Sequence, residues 1–278
     1  MIDELIKEPE PLVDVQDISV QFGQQRVLRN ISLKIPAGQT LVLIGESGCG
    51  KTVLMKSIIG LVQPQKGVVN FDNKNIHQLN DRQLSLQRLR FGFVFQNAAL
   101  FDSMTIGQNV AFPLRQHGEY SAAEIREEVL SRLSEVGLPD EVVRKKPAEL
   151  SGGMRKRVGL ARALIMKPEI MMYDEPTTGL DPIMSDVINE LILRTRRRNA
   201  VTSIVVTHDM NTAKKVADRI VMLYPMPRLQ PNESQIIFDG TPAELANVRD
   251  RRVRQFVNGE AGERLMEMRG ERVTGLSV

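Results

Sequence analysis

The octapeptide GESGCGKT, Gly45 to Thr52, constrains this chain more than any other stretch. Glycines at 45, 48 and 50 let the backbone wrap closely around a phosphate chain with its N–H groups turned inward; Lys51 reaches the β- and γ-phosphates, and the Thr52 hydroxyl can ligate Mg²⁺. The whole run, Gly45, Glu46, Ser47, Gly48, Cys49, Gly50, Lys51 and Thr52, is therefore assigned to a nucleotide. Cys49 reads as a small filler residue inside the loop rather than a reactive thiol. Such a P-loop needs a strand in front of it and a helix behind. TLVLIG supplies the first, a short continuous apolar run of the kind buried on both faces in a parallel sheet, and TVLMKSIIGL supplies the second. The strand–loop–helix unit commits the surrounding chain to an α/β fold.

The rest of the pattern agrees. LVDVQDISVQF, residues 12–22, alternates apolar and polar residues at period two, as does NISLKI, residues 30–35, and the two are expected as antiparallel strands. GVVNFDNKNI reads as a further hairpin with Asp72 to Asn75 at its turn, where residues tolerant of positive φ are wanted. Residues 121–166 carry helical periodicity, and EIMMYDE and TSIVVTHD read as two more buried strands with helices between them. Strands alternating with helices imply a mostly parallel sheet covered on both faces.

A P-loop also needs a carboxylate at the end of a neighbouring strand to organise the metal. IMMYDE provides one: Asp174 would hold Mg²⁺ and the adjacent Glu175 would polarise the attacking water. A second anion site appears in ELSGGMRKRVGLARAL, Glu149 to Leu164, where Ser-Gly-Gly opens a basic amphipathic helix whose first N–H groups lack internal partners.

Together these segments resemble the ATP-binding cassette (ABC) family, and the resemblance covers roughly residues 12–245. LSGGM is similar to that family's signature motif, with Met154 where the usual form ends in Gln. The resemblance implies a P-loop NTPase (RecA-like) core with an antiparallel β subdomain and an inserted α-helical subdomain at about residues 97–157. A loose lead-in, 1–11, would precede the ATPase domain, 12–245, and a C-terminal extension, 246–278, would follow it. It further implies ATP and Mg²⁺ as ligands and a head-to-tail dimer, in which Ser151, Gly152 and Gly153 meet the γ-phosphate held by the partner's loop. One chain would thus hold phosphate twice because it contributes to two sites.

By the same resemblance Gln96 in FVFQNAALF matches the Q-loop glutamine that touches Mg²⁺ and water. Asp181, closing TGLD, matches the D-loop and would face the partner, and His208 in IVVTHDM matches the H-loop histidine at the γ-phosphate. Phe22 sits where the family stacks an aromatic on adenine. Glu175, His208, Lys51 and Gln96 form the implied catalytic set, and Thr52, Gln96 and Asp174 the implied metal set. His77 and His117 match nothing and read as surface residues.

The stretch from 97 to 149 is too short for the coiled-coil arm of chromosome-structure and repair ATPases, and the single cassette differs from the tandem cassettes of translation-factor relatives, so transport is the simpler reading. FQNAALFDSMTIGQNVAFPLR and DRRVRQFVNGEAGER are similar to the ATPase subunit of the bacterial Mla-type systems, which move phospholipids to maintain outer-membrane lipid asymmetry. That implies an integral-membrane permease, a membrane-anchored lipid-binding subunit with a mammalian-cell-entry (MCE) domain, a small cytoplasmic accessory subunit, and a peripheral place on the cytoplasmic face of the bacterial inner membrane. Amino-acid importers and lipoprotein-release ATPases share much of the cassette, and a soluble ATPase acting on nucleic acid or ribosomes is a further alternative. YPMPRLQPNESQ, Tyr224 to Gln235, departs from the family in being longer than the tight turn usual between the last two strands.

Composition bears on these alternatives. Lys and Arg number 37 against 34 Asp and Glu, so the net charge of +3 comes from two nearly equal populations and gives no reason to expect a nucleic-acid partner. The run RTRRRN, residues 194–199, ends an amphipathic helix, where cations complement the dipole, and reads as a solvated helix end. A single cysteine leaves no internal disulfide and fits a reducing compartment. No apolar run approaches the ~20 residues that span a bilayer. The start MIDELIKEPEP lacks the basic and apolar regions of a secretory signal, so the chain is expected in the cytosol, held at a membrane by another protein.

Overall fold

A computed structural model describes residues 10–262. Val13–Phe22 (β1) and Gln25–Ile35 (β2) pair antiparallel, as the alternation predicts. The alternation is broken once. Asp17 takes a left-handed φ of 49° and the pairing register shifts on both sides of β1 there, a bulge that keeps Val13, Val15, Ile18 and Val20 all on the buried face. Thr40–Ile44 (β3) follows, with every residue buried, and runs through the phosphate loop into Lys51–Ile58 (α1). Lys66–Phe71 (β4) and Lys74–Asn75 (β5) form the second hairpin. Its turn is narrower than read from sequence, because only Asp72 and Asn73 have left-handed φ (51° and 59°) while Lys74 and Asn75 already pair with β4.

Asp81–Arg88 (α2) leads to Phe91–Val94 (β6) and then to a helical layer of Ile106–His117 (α3), Ala122–Glu135 (α4) and Gly152–Leu164 (α5). The starts of α3 and α4 are set by capping boxes, Thr105 with Gln108 and Ser121 with Glu124, each satisfying otherwise orphaned first-turn N–H groups. Ile170–Asp174 (β7), Pro182–Asn199 (α6), Thr202–Val206 (β8), Met210–Val216 (α7), Arg219–Leu223 (β9), Ile236–Gly240 (β10), Pro242–Ala246 (α8) and Arg251–Asn258 (α9) complete the order.

The small sheet runs β2-β1-β4-β5 and the large one β10-β9-β3-β8-β7-β6, with β10 antiparallel at its edge and the other pairs parallel. The strand carrying Asp174 is therefore not the neighbour of the phosphate-loop strand: β8 lies between β7 and β3. Successive side chains of a strand point to opposite faces, and the core divides accordingly. Leu41, Leu43, Met172 and Ile204 join α1 and the small sheet on one side, whereas Val42, Ile44, Tyr173 and Val205 join the helical layer on the other.

Two surface assignments change. Arg194, Arg197 and Arg198 are exposed, but Arg196 pairs with Asp218 Oδ1 at 2.8 Å and donates to the Gly38 carbonyl at 2.9 Å, tying α6 to the start of β3. His117 is exposed, while His77 is half-buried with Nε2 3.0 Å from the Ser57 carbonyl, and burial lowers its pKa. Of the segment beyond residue 245, α9 places Val253 fully in the core beside Leu245; residues 263–278, and residues 1–9 of the lead-in, lie outside the described residues.

Candidate nucleotide site

The loops carrying the phosphate motif, Gln96, Glu175 and His208 leave the C-terminal ends of the parallel strands β3, β6, β7 and β8, the edge at which open α/β sheets take ligands. Gly45 leaves β3 at φ 138°, and a Cβ there would lie 2.3 Å from the Leu223 carbonyl oxygen; at Gly50, φ 102°, it would lie 2.6 Å from Leu28 Cδ2. Only glycine gives both the backbone angle and the close approach, so the loop's shape is dictated by its sequence. Ser47 and Gly48 are exposed at its mouth, and Cys49 is buried, its thiol pushed up by burial, in keeping with a filler role. Lys51 is also buried and folds over the loop, donating to the carbonyls of Gly45 (2.7 Å) and Glu46 (3.0 Å).

Although β8 intervenes, Thr52 Oγ1 in the first turn of α1 donates to Asp174 Oδ1 at 3.2 Å. Burial, the largest influence, raises the Asp174 pKa, opposed by the Thr52 hydrogen bond. Glu175 turns the chain with a left-handed φ of 50°, its N–H held by the Val206 carbonyl at 2.9 Å. A non-glycine residue in this region carries strain that the surrounding packing must offset, and such positions concentrate at functional sites. Glu175 Oε2 lies 2.8 Å from His208 Nδ1 and accepts weakly from the Thr178 hydroxyl and the His208 N–H. Lys51, Thr52, Asp174, Glu175 and His208 thus form one linked edge, two acids and a histidine facing a phosphate cradle.

The other sequence-marked residues lie around this edge. Gln96 is exposed just past β6, and Phe22 is half-exposed at the end of β1. Ser151 caps α5 by accepting from the Met154 N–H at 3.3 Å. The side chains nearest Gly152 and Gly153 are Leu180 of the turn before α6 and Met184 in its first turn. Asp181 has a structural duty in its own chain as the cap of α6, accepting from the Met184 N–H at 2.9 Å.

Several residues of the site were not visible as motifs. Arg162 of α5 donates to the carbonyls of Ala98 and Ala99, both at 2.7 Å, and so fastens the loop that follows Gln96, where those two alanines hold left-handed φ of 57° and 46°. Lys156, one turn into α5 and buried, donates to the Glu175 carbonyl at 3.3 Å, and burial lowers its pKa. The signature helix is in this way tied to both the Gln96 loop and the Glu175 turn of its own chain. The only sequence signal for these contacts was the density of basic residues on one helix.

The fold and its site define a P-loop ATPase cassette. The ABC transporter family model matches residues 28–178, just over half of the chain, and the protein belongs to that family. It is 38% identical over 250 residues to the "Intermembrane phospholipid transport system ATP-binding protein MlaF" of Haemophilus influenzae, covering 90% of this chain and 91% of that one. It is 39% identical over 247 residues to the "Probable ribonucleotide transport ATP-binding protein mkl" of Mycobacterium leprae, covering 89% and 69%. A solved structure titled "Dimeric structure of a post-hydrolysis state of the ATP-binding cassette MJ0796 bound to ADP and Pi" superposes with a TM-score of 0.72 at 31% identity, over 83% of this chain and 98% of that one. The protein is accordingly an ATP-hydrolysing subunit of an ABC transporter, a class that works as an ATPase dimer with a permease and is associated with a membrane through it. No helix among the described residues is long and apolar enough to cross a membrane.

Proposed function

We propose that this chain powers the movement of phospholipid between the inner and outer membranes of a bacterium, from the cytoplasmic face of the inner membrane. The observation that carries the reading is the near end-to-end match to a phospholipid transport ATP-binding protein, 38% identical over 91% of its length. In this reading two copies pair head to tail beneath a permease, with a membrane-anchored MCE-domain subunit that carries lipid and a small cytoplasmic accessory subunit.

Within each site Lys51 and the loop N–H groups bind the phosphates, Phe22 stacks on adenine, Glu175 takes the proton of the attacking water, and His208 holds Glu175 and meets the γ-phosphate. Ser151, Gly152 and Gly153 close the partner's site, near Asp181. The donor set fits Mg²⁺: a hydroxyl and a carboxylate already 3.2 Å apart, at Thr52 and Asp174, with the Gln96 amide on the adjacent loop, are the hard oxygen ligands that ion prefers. When bound, the ion would neutralise charge developing on the phosphoryl oxygens.

The experiment is reconstitution of the chain with its permease in liposomes bearing a fluorescent phospholipid. Transfer to acceptor should require ATP and vanish with Glu175→Gln. The match to a ribonucleotide transport protein at 39% identity favours one second reading, nucleotide uptake. ATPase activity stimulated by ribonucleotides, with no lipid moved, would replace the first reading with the second.

A further inference from the structure

Residues 224–235, the long connection between β9 and β10, fold back against the phosphate loop. The connection is closed at its base by the Tyr224 N–H donating to the Gln235 carbonyl at 2.9 Å. Gln235 is 1% exposed and anchors it inward: Nε2 donates to the carbonyls of Val27 (2.9 Å) and Cys49 (3.0 Å), and Oε1 accepts from the Arg29 N–H (2.9 Å). Arg29 in turn donates to the carbonyls of Gln230 (3.0 Å) and Glu233. From this fixed frame Arg228 Nη1 donates to both carboxylate oxygens of Glu46, at 2.9 and 3.1 Å, with each side chain only 19% exposed.

Glu46 is the second residue of the phosphate loop, and its own carbonyl already accepts from Lys51 Nζ. A carboxylate in that place is an electrostatic liability, because the ligand expected there is itself a polyanion and like charges repel more strongly where water is partly excluded. Exposed ion pairs contribute little, largely because two long side chains must be ordered to make them. Here the backbone on both sides is already held, by Gln235 and Arg29 at one end and by the glycine turns of the loop at the other.

We propose that Arg228 is a positioning residue for nucleotide binding: it holds the Glu46 carboxylate and offsets its charge, so that the phosphate loop can accept a nucleoside triphosphate. The connection would then be a functional part of the site rather than a tolerated surface insertion. The proposal rests on the assignment of Gly45 to Thr52 to the phosphates and is independent of the cargo.

The test is ATP binding to the full chain by calorimetry with Mg²⁺ present, alongside steady-state ATPase measurements. Arg228→Gln should raise the dissociation constant on the order of tenfold, the scale of one charge near a phosphate at a protein surface. The effect should shrink as salt rises, since screening weakens it. It should appear in KM with kcat little changed. Arg228→Lys should retain most of the affinity, and the double variant Glu46→Gln/Arg228→Gln should recover it, because removing the carboxylate removes the need for its partner. Glu46→Gln alone should bind ATP more tightly at low salt, a result available even if Arg228→Gln does not fold. Unchanged affinity in Arg228→Gln, a loss that persists in the double variant, or weaker binding by Glu46→Gln would each overturn the proposal. Lys51→Ala serves as the control: if it binds ATP like wild type, the phosphate-loop assignment itself fails, whereas loss of binding there with none in Arg228→Gln refutes only the role of Arg228.

Discussion

Asn109, near the start of α3, is fully buried, and its amide organises the loop that runs from Gln96 into that helix. Oδ1 accepts from the Phe101 N–H at 2.7 Å, and Nδ2 donates towards the carbonyls of Phe101 (3.1 Å), Met104 (3.3 Å) and Thr105 (3.0 Å). Replacing it with Leu keeps the volume and removes every one of these bonds. The Phe101 N–H and at least one carbonyl then lose their partner, at roughly 1–3 kcal/mol for each buried group, partly relieved where the exposed Phe101 lets water approach. The expected loss is about 2–4 kcal/mol, a large share of the ~5–15 kcal/mol that holds a typical domain. It should appear as a lower urea midpoint at unchanged slope.

Asn109→Asp adds a test of sign. The carboxylate would accept from Phe101 but face three carbonyls, so its folded pKa should lie above the ordinary value near ~3.9. Below that value both folded and unfolded chains are protonated and the variant is penalised least; as pH rises the unfolded chain ionises first, and the penalty grows until the folded pKa is passed. Relative to wild type, the variant should therefore be more stable at pH 4 than at pH 7. An unfolding free energy for Asn109→Leu within about 0.5 kcal/mol of wild type, the range of an inconsequential surface change, would refute the view that this amide holds the loop.

Three further outcomes are expected. Glu175→Gln should keep ATP binding and slow phosphate release on the order of 10²-fold or more, the scale of a positioned base; turnover near the wild-type rate would remove that role. Ser151→Glu should bind ATP on its own phosphate loop yet lose turnover, since the new carboxylate would face the partner's nucleotide, and loss of binding by the isolated subunit would contradict the two-chain site. Cys49, buried and with its thiol pushed up by burial, should resist iodoacetamide at neutral pH and label only as pH passes above the usual thiol range; rapid labelling of the folded chain at pH 7 would show an open loop instead.

Much of what depends on neighbours along the chain could be read without its structure, although the bulge at Asp17 and the exact width of the β4–β5 turn could not. The phosphate loop is one such case, because the left-handed angles of Gly45, Gly48 and Gly50 are met by glycine at the level of the backbone, and the twofold alternation of β1 and the largely apolar runs of β3, β7 and β8 are others. Even the family resemblance rested on short contiguous motifs. Tertiary structure alone decided what those motifs meet. Nothing in the chain places β8 between β3 and β7, since strand order follows from how whole faces pack and not from any local preference. The Thr52–Asp174 contact crosses 122 residues and the Arg228–Glu46 pair 182, and Arg162 reaches Ala98 across 64. An arginine in a surface turn looks the same in sequence whether it meets water or a glutamate of the active loop. Its role is fixed only when β9 and β10 pair antiparallel and Gln235 draws the connection between them onto the loop.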